Sequence, residues 1–506
     1  MTSVSVGSRL LLAAGFVVAA CGTKREAPRA IKDAGAAGPT VAPIATPPSG
    51  VDAISRFGFV YGKGATDYQK ARTAAKTRDW SAVRTAAEAA IARDPNHLDA
   101  HRLLATALAQ AGEHAAVVEQ LVAVLAADYW QYAPALGDPD LKEFFATPHG
   151  IAVTELATKL RADYEKRTAS GLLLIGRRSP FKWHEKPGVQ GVTSRGELYA
   201  YDRETRRYLR LTHTEHQLAA FVKPAAGAEL AILTFDKVDR PKGDDPIPLV
   251  ARAHLQVLDT TEWKPTTKVT LKDAAREIAV GYSAGDQLLV ALAPAAGRWG
   301  TGAPIVSSID RATGKLTKVT SSLPVPRIVF TLEEGRLVRA PSGVKATWAG
   351  DPPTAPTLEL GGRPIAVPES GAATQASIAV APNGSHLAFA TAVDPCAKDA
   401  APSLYVSDAK GVLKHVLTAK SRFTTRWLDA TTLAYEDGDG AIRLWDATTA
   451  RESQRLENKP GLALDVLSIA AAPLCKQAPP TADTGSAEEP MPPEEGSAGT
   501  IITPPP

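Results

Sequence analysis

The spacing of apolar and polar positions changes once along this chain. Between residues 66 and 128, apolar side chains recur every three or four residues, the buried stripe of amphipathic helices. A further helical stretch runs through residues 138–164. After Lys166 that period disappears. Short alternating runs, separated by Gly, Pro, Asn and Asp, continue to Cys475. The pattern predicts a multidomain chain, α followed by all-β.

The helical region repeats at an offset of about 34 residues. In that register Asp79 falls on Glu113, Ala71 on Ala105 and Trp80 on His114. The stretch Asp79-Trp80-Ser81-Ala82-Val83, with Ala86, Ala87, Ala90, Ile91 and the turn Asp94-Pro95-Asn96, resembles the second half of a tetratricopeptide repeat. Residues 98–125 resemble a second repeat: Leu104, Ala105 and Leu108 on one helix, a Gly112-Glu113 turn, then Leu121, Val124 and Leu125. Two repeats are fewer than the usual three, so a cap is needed, and residues 138–164 supply it. The resemblance implies a concave face able to take a peptide, beside the plainer role of a spacer. His97 and His101 have the i, i+4 spacing of metal ligands, but no third ligand lies nearby in sequence.

Within the β-rich region a single phrase keeps returning: an alternating strand ending in aspartate, a polar turn, then a second strand. It occurs at Leu198-Tyr199-Ala200-Tyr201-Asp202, Leu255-Gln256-Val257-Leu258-Asp259, Val306-Ser307-Ser308-Ile309-Asp310, Leu404-Tyr405-Val406-Ser407-Asp408 and Ile442-Arg443-Leu444-Trp445-Asp446. An aspartate there can cap the turn with its own carboxylate. A hairpin phrase precedes most copies, most clearly around Pro382-Asn383-Gly384-Ser385, with equivalents around Gly227, Gly285, Gly335 and Asp429. Two such phrases make a four-stranded wedge, and a spacing of about 40–55 residues predicts a β-propeller of about six blades. The fourth blade, within residues 325–367, is the weakest. The first, residues 171–212, lacks an innermost strand, which the apolar run 464–470 is expected to provide. The segment Val380-Ala381-Pro382-Asn383-Gly384, with Leu404-Tyr405-Val406 and Val416-Leu417-Thr418, resembles TolB-like and WD40-like propellers.

The flanks are of another kind. Residues 1–20 hold one basic residue, Arg9, and an apolar run, as in a secretory signal. The run ends Val18-Ala19-Ala20-Cys21-Gly22, which resembles the lipobox of bacterial lipoproteins and implies that Cys21 becomes the lipid-bearing first residue. Acyl chains contribute ~0.8 kcal/mol per buried methylene, enough together for lasting membrane attachment. Gly22, rather than Asp, favours the outer membrane. Residues 21–50, rich in Ala, Pro, Gly and Thr, read as a flexible tether with a reach of ~30 Å. Residues 476–506 read as a disordered Pro/Glu-rich tail. The expected domains are therefore 1–20 signal peptide, 21–50 tether, 51–168 TPR-like helices, 169–475 propeller and 476–506 tail.

Composition narrows the function without naming it. The 506 residues carry 57 basic and 54 acidic side chains, too balanced for a general nucleic-acid footprint. Gly281-Tyr282-Ser283-Ala284-Gly285 matches a G-x-S-x-G nucleophile elbow, which would make Ser283 the nucleophile of a serine hydrolase. That motif requires a helix next, whereas residues 286–292 align with the second strand of a hairpin. His213 with His216, and Asp437 with Asp439, lack the further ligands a metal would need. Cys396 and Cys475 are left for a possible disulfide in an exported chain, closing a loop worth ~4–5 kcal/mol of chain entropy. The reading is a non-enzymatic envelope lipoprotein facing the periplasm, with no cofactor or resident metal. It would be bound to the membrane through Cys21 and present its surfaces to a protein or peptidoglycan-associated partner. A serine hydrolase and a ligand sensor using the propeller channel are the alternatives.

Overall fold

The computed structural model describes residues 43–464, except 58–62, 187–188, 216–217, 223–226, 240–248, 273–274, 283–286, 295–304, 320–328, 334–335, 341–343, 350–353, 369–371, 375–377, 393–401, 419–423, 437–440 and 457–461. Within it a helical region is followed by antiparallel sheets, as the change of period predicts.

Four helices form two consecutive hairpins: α1 (Ala65–Lys76) with α2 (Trp80–Arg93), and α3 (Leu98–Gln110) with α4 (His114–Ala127). Asp79 caps α2 by accepting from the Ala82 amide at 3.1 Å. The helices approach closely because Ala71, Ala87, Ala90 and Ala105 occupy the crossings and are fully buried. After the short α5 (Tyr129–Tyr132) and α6 (Lys142–Phe145) comes α7 (Pro148–Ser170), which packs on α4. Thr147 caps α7, and Pro148 starts it where a missing amide costs nothing.

The strands begin at Leu172. The first group holds β1 (Leu172–Lys186), β2 (Val189–Asp202) and β3 (Arg207–Arg210). The second holds β4 (Leu218–Val222), β5 (Glu229–Asp239), β6 (Leu249–Asp259) and β7 (Lys264–Leu271), and the third β8 (Ala275–Tyr282), β9 (Leu288–Pro294), β10 (Ile305–Ile309) and β11 (Leu316–Lys318). Single residue pairs, Gly196 with Leu218 and Val250 with Ala275, join these groups edge to edge.

The expected fourth wedge departs from a four-stranded plan. It contains a separate pair, β12 (Val329–Glu333) and β13 (Arg336–Ala340), then β14 (Val344–Ala349), β15 (Thr354–Leu360) and β16 (Arg363–Ile365). Pro341 and Gly343 lie in the sequence between β13 and β14, and proline cannot donate to a ladder. A short β17 (Ala372–Thr374) links β15 to the next group, β18 (Ala379–Val380), β19 (His386–Ala392), β20 (Ser403–Asp408) and β21 (Leu413–Thr418). The cleanest unit is the four-stranded sheet of β22 (Thr424–Trp427), β23 (Thr432–Glu436), β24 (Ile442–Asp446) and β25 (Arg451–Leu456).

The last strand, β26 (Leu462–Ala463), pairs antiparallel with β1, joining Ile175 to Ala463 and Gly176 to Leu462. The partner is the expected one; of the expected run 464–470, residues 465–470 lie outside the described residues. Leu464 leaves the ladder and is fully buried in the core shared by the helices and the first sheet.

Residues at the end of the expected tether are not free chain. Ser49 and Gly50 are buried, the Gly50 amide donates to the Ala126 carbonyl at 2.7 Å, and Val51 forms a bridge with Tyr208. Gly50 has φ +74 and its backbone lies against the Tyr208 carbonyl, leaving no room for a side chain.

Candidate functional site

The densest buried polar chemistry among the described residues lies where the helices meet the first sheet. Asp128 ends α4 and caps α5, accepting from the Gln131 amide at 3.4 Å, and its side chain is 1% exposed. On the sheet side, β2 contributes Glu197, whose side chain is 0% exposed, and β3 ends in Arg210. His213 follows, its Nε2 3.1 Å from both carboxylate oxygens of Asp128.

Arg210 ties the cluster together. Its Nε donates to the Thr212 carbonyl at 3.0 Å, while its guanidinium reaches Glu197 at 3.4 Å and Asp128 at 3.7 Å. Thr212 Oγ1 donates to Glu197 at 2.6 Å and accepts the Leu198 amide at 2.8 Å; Thr214 Oγ1 donates to the same carboxylate at 3.1 Å. Burial alone would lower the Arg210 pKa. Tyr199, Glu197, Asp128 and Tyr132 outweigh it and raise the value, so the guanidinium stays charged. Tyr132 donates to Asp99 at 2.9 Å, and burial together with Asp99 and Asp128 keeps its phenol protonated. Tyr199 packs 5.2 Å from the Phe57 ring, and burial pushes its phenol up as well.

Two further contacts brace the joint. Arg167, near the end of α7, donates to Asp163 at 2.8 Å, to Asp202 and to Thr205 at 3.2 Å. Arg207 donates to the carbonyls of Ser49, at 2.9 Å, and Gly50. Chemically, the His213 and Thr212 donors of the Asp128 cluster both face carboxylates, and among the described residues no serine or cysteine belongs to it. It suits holding two modules in one orientation.

The residues singled out in the sequence are dispersed. His97 accepts from the Ala100 amide at 3.3 Å and stacks near Tyr68, a capping role. His101 contacts Gln120 at 2.6 Å and the Pro95 carbonyl at 2.9 Å through its two ring nitrogens, so the pair does not converge on a metal position. His213 joins Asp128, not His216. Cys21, Ser283, His216, Cys396, Asp437, Asp439 and Cys475 lie outside the described residues. No cluster of metal-ligating side chains occurs among the described residues. The strand after the G-x-S-x-G match is β9, paired antiparallel with β8 from Tyr282↔Leu288 onward, so the helix that motif requires is replaced by a strand.

The repeated aspartates share one turn. Asp202, Asp259, Asp310, Asp408 and Asp446 each accept the amide two residues on, at 2.7–3.0 Å. A residue in the left-handed region closes each turn: Arg206, Trp263, Gly314 and Ala450 four positions after the aspartate, and Gly411 three after.

No protein-family model matches this chain, and no curated protein does. Solved structures include similar chains. The crystal structure of TolB from Acinetobacter baumannii aligns with a TM-score of 0.36 at 12% identity, over 65% of this chain and 74% of that one. The crystal structure of the tricorn protease aligns with a TM-score of 0.35 at 14% identity, over 57% of this chain and 26% of that one. This chain thus spans about a quarter of the tricorn protease.

Proposed function

We propose that this protein is a non-enzymatic scaffold of the bacterial cell envelope, anchored through lipid on Cys21, in which TPR-like helices are fixed to a β-propeller and both present surfaces to a protein or peptidoglycan-associated partner. The carrying observation is the Asp128–Arg210–Glu197–His213 joint. A buried charged network between modules holds one relative orientation, which a surface spanning both requires and a single-module function does not.

The packing order of the sheets supports a ring. One core unites the first group with β4 and β5 on one side, through Leu218 and Ile232, and with β23–β25 on the other, through Ala434, Leu444 and Leu456. A second joins the groups containing Leu233 and Val280, a third joins Leu360 to Phe389, and a fourth joins Val406 to Trp445. Each of these cores joins groups that are consecutive in the chain, and the last group packs with the first. Gln454 donates to the Tyr201 hydroxyl at 2.7 Å, and Arg426 lies 4.4 Å over the Phe221 ring. Six wedges closed by β26 on β1 account for this order.

Two experiments test the reading. Acyl-chain labelling in cells is expected to mark the protein and to vanish in Cys21→Ala. Crosslinking in intact envelopes is expected to capture a partner at positions on both the helices and the sheets. Labelling of the purified protein by an active-site serine probe, lost in Ser283→Ala, would instead make it a hydrolase.

A further inference from the structure

The first helix is charged unlike the others. Residues 63–78 hold Lys63, Lys70, Arg72, Lys76 and Arg78 against one acid, Asp67, in a chain whose net charge is only +3. That acid does not face solvent. Its side chain is 7% exposed and is held between Lys70 at 3.0 Å and Arg93, from the end of α2, at 2.9 Å. The exposed positions of α1 are Thr66, Gln69, Lys70, Arg72, Thr73 and Lys76, with neither a carboxylate nor a large apolar side chain among them.

A solvated helix face ordinarily mixes signs through i, i+4 pairs. Helices α2 and α7 do so, with Arg84–Glu88 at 3.0 Å, Arg161–Glu165 at 2.9 Å and Arg167–Asp163 at 2.8 Å. Lys63, just before α1, and Arg72 and Lys76 on it have no ion-pair partner among the described residues. Arg72 and Lys76 are themselves an i, i+4 pair of like charge, which disfavours an isolated helix. Folding therefore gains nothing from this arrangement.

Position adds to the charge. Loops of three or four residues join α1 through α4, so alternate helices run the same way and the C-terminal ends of α2 and α4 lie at one end of the stack. The chain enters the fold at that end: the Gly50 amide donates to the Ala126 carbonyl of α4 at 2.7 Å, and Gly64, which opens α1, has its backbone against the Ala90 carbonyl of α2. Lys63 and Arg93 belong to the same end.

We propose that the exposed face of α1, with Lys63 and Arg93, docks on the anionic phospholipid headgroups of the membrane to which the chain is tethered. Clusters of roughly four to eight lysines and arginines are drawn to such a surface by charge alone. A folded protein partner would instead need an apolar anchor near the centre of the contact, which Thr66, Gln69 and Thr73 do not offer. The proposal rests on the envelope reading only for bringing a membrane within reach.

The test uses the full chain with Cys21→Ser, purified without lipid and mixed with phosphatidylcholine vesicles with or without phosphatidylglycerol. Sedimentation with the anionic vesicles alone is expected, with release at about 0.5 M salt. Lys63→Gln, Arg72→Gln and Lys76→Gln together are expected to weaken binding about 100-fold, with an unchanged melting temperature because none of the three is paired. Lys318→Gln, Lys410→Gln and Lys414→Gln remove the same charge from exposed positions on the sheets and are expected to leave binding unchanged. Equal binding to neutral vesicles, no binding to either, or equal weakening by the two triple variants would overturn the proposal. Capture of a peptide matching residues 484–496, which carries Glu488, Glu489, Glu494 and Glu495, in place of vesicles would overturn it too and give the face to an acidic segment. Failure of the lipid anchor is read separately, from acyl labelling at Cys21.

Discussion

His213 and Asp128, 85 residues apart, meet with Nε2 3.1 Å from both carboxylate oxygens, and through that contact the sheet grips the end of α4. Asp128 also caps α5 and balances Arg210, whose side chain is 13% exposed. One carboxylate thus serves a helix start and two side chains, Arg210 and His213, from the sheet.

Replacing Asp128 with alanine is expected to destabilise the fold by about 3–5 kcal/mol, because it leaves Arg210 buried with Glu197 as its remaining carboxylate partner and removes a helix cap. Denaturant unfolding measures this. Adding Arg210→Met to that variant should cost less than the sum of the two single changes, since both report on one network.

The common turn predicts opposite effects at equivalent positions. Ala450 is exposed with φ +54, whereas Gly314 fills the same place with φ +70. Ala450→Gly is expected to stabilise by roughly 0.5–1 kcal/mol, the left-handed strain relieved less the entropy of glycine. Gly314→Ala should cost roughly 1–2 kcal/mol, as its added Cβ also meets Val269 at 3.3 Å. Thermal melts of the two variants should shift in opposite directions.

Turn amides also set an acid dependence. Amide hydrogen bonds from Thr261 and Thr313 hold Asp259 and Asp310 below the ordinary carboxylate pKa, and the Thr448 hydroxyl and amide do so for Asp446. At Asp202 burial opposes ionisation, but Thr205 and Arg167 prevail. A lowered folded-state pKa means stability that is complete above the unfolded value of about 3.9 and is lost as pH falls through the folded one. Melting temperature should therefore fall below about pH 4. In the combined Asp259→Asn, Asp310→Asn and Asp446→Asn variant the acid-side slope should be shallower, because asparagine keeps the acceptor without the titration.

The repeating turn was legible in the sequence because its cause is local: an aspartate, its own next amides and a left-handed residue three or four positions on. The helical hairpins were legible for the same reason, through alanine spacing and Asp79. The joint was not. Asp128, Glu197, Arg210 and His213 carry no shared spacing, and His213 reads in sequence as half of a histidine pair with His216. The fourth wedge, expected to be the weakest, is where Pro341 and Gly343 interrupt the strand phrases in the sequence.

The central claim is that the chain closes on itself, last strand against first. Introducing Ile175→Cys and Ala463→Cys, with Cys396 and Cys475 changed to serine, places thiols at paired positions of β1 and β26. Mild oxidation of the folded protein is expected to give an intrachain crosslink, mapped to one peptide from each strand, and a higher melting temperature. Two free thiols that alkylate readily in the folded protein without crosslinking would contradict the closed arrangement.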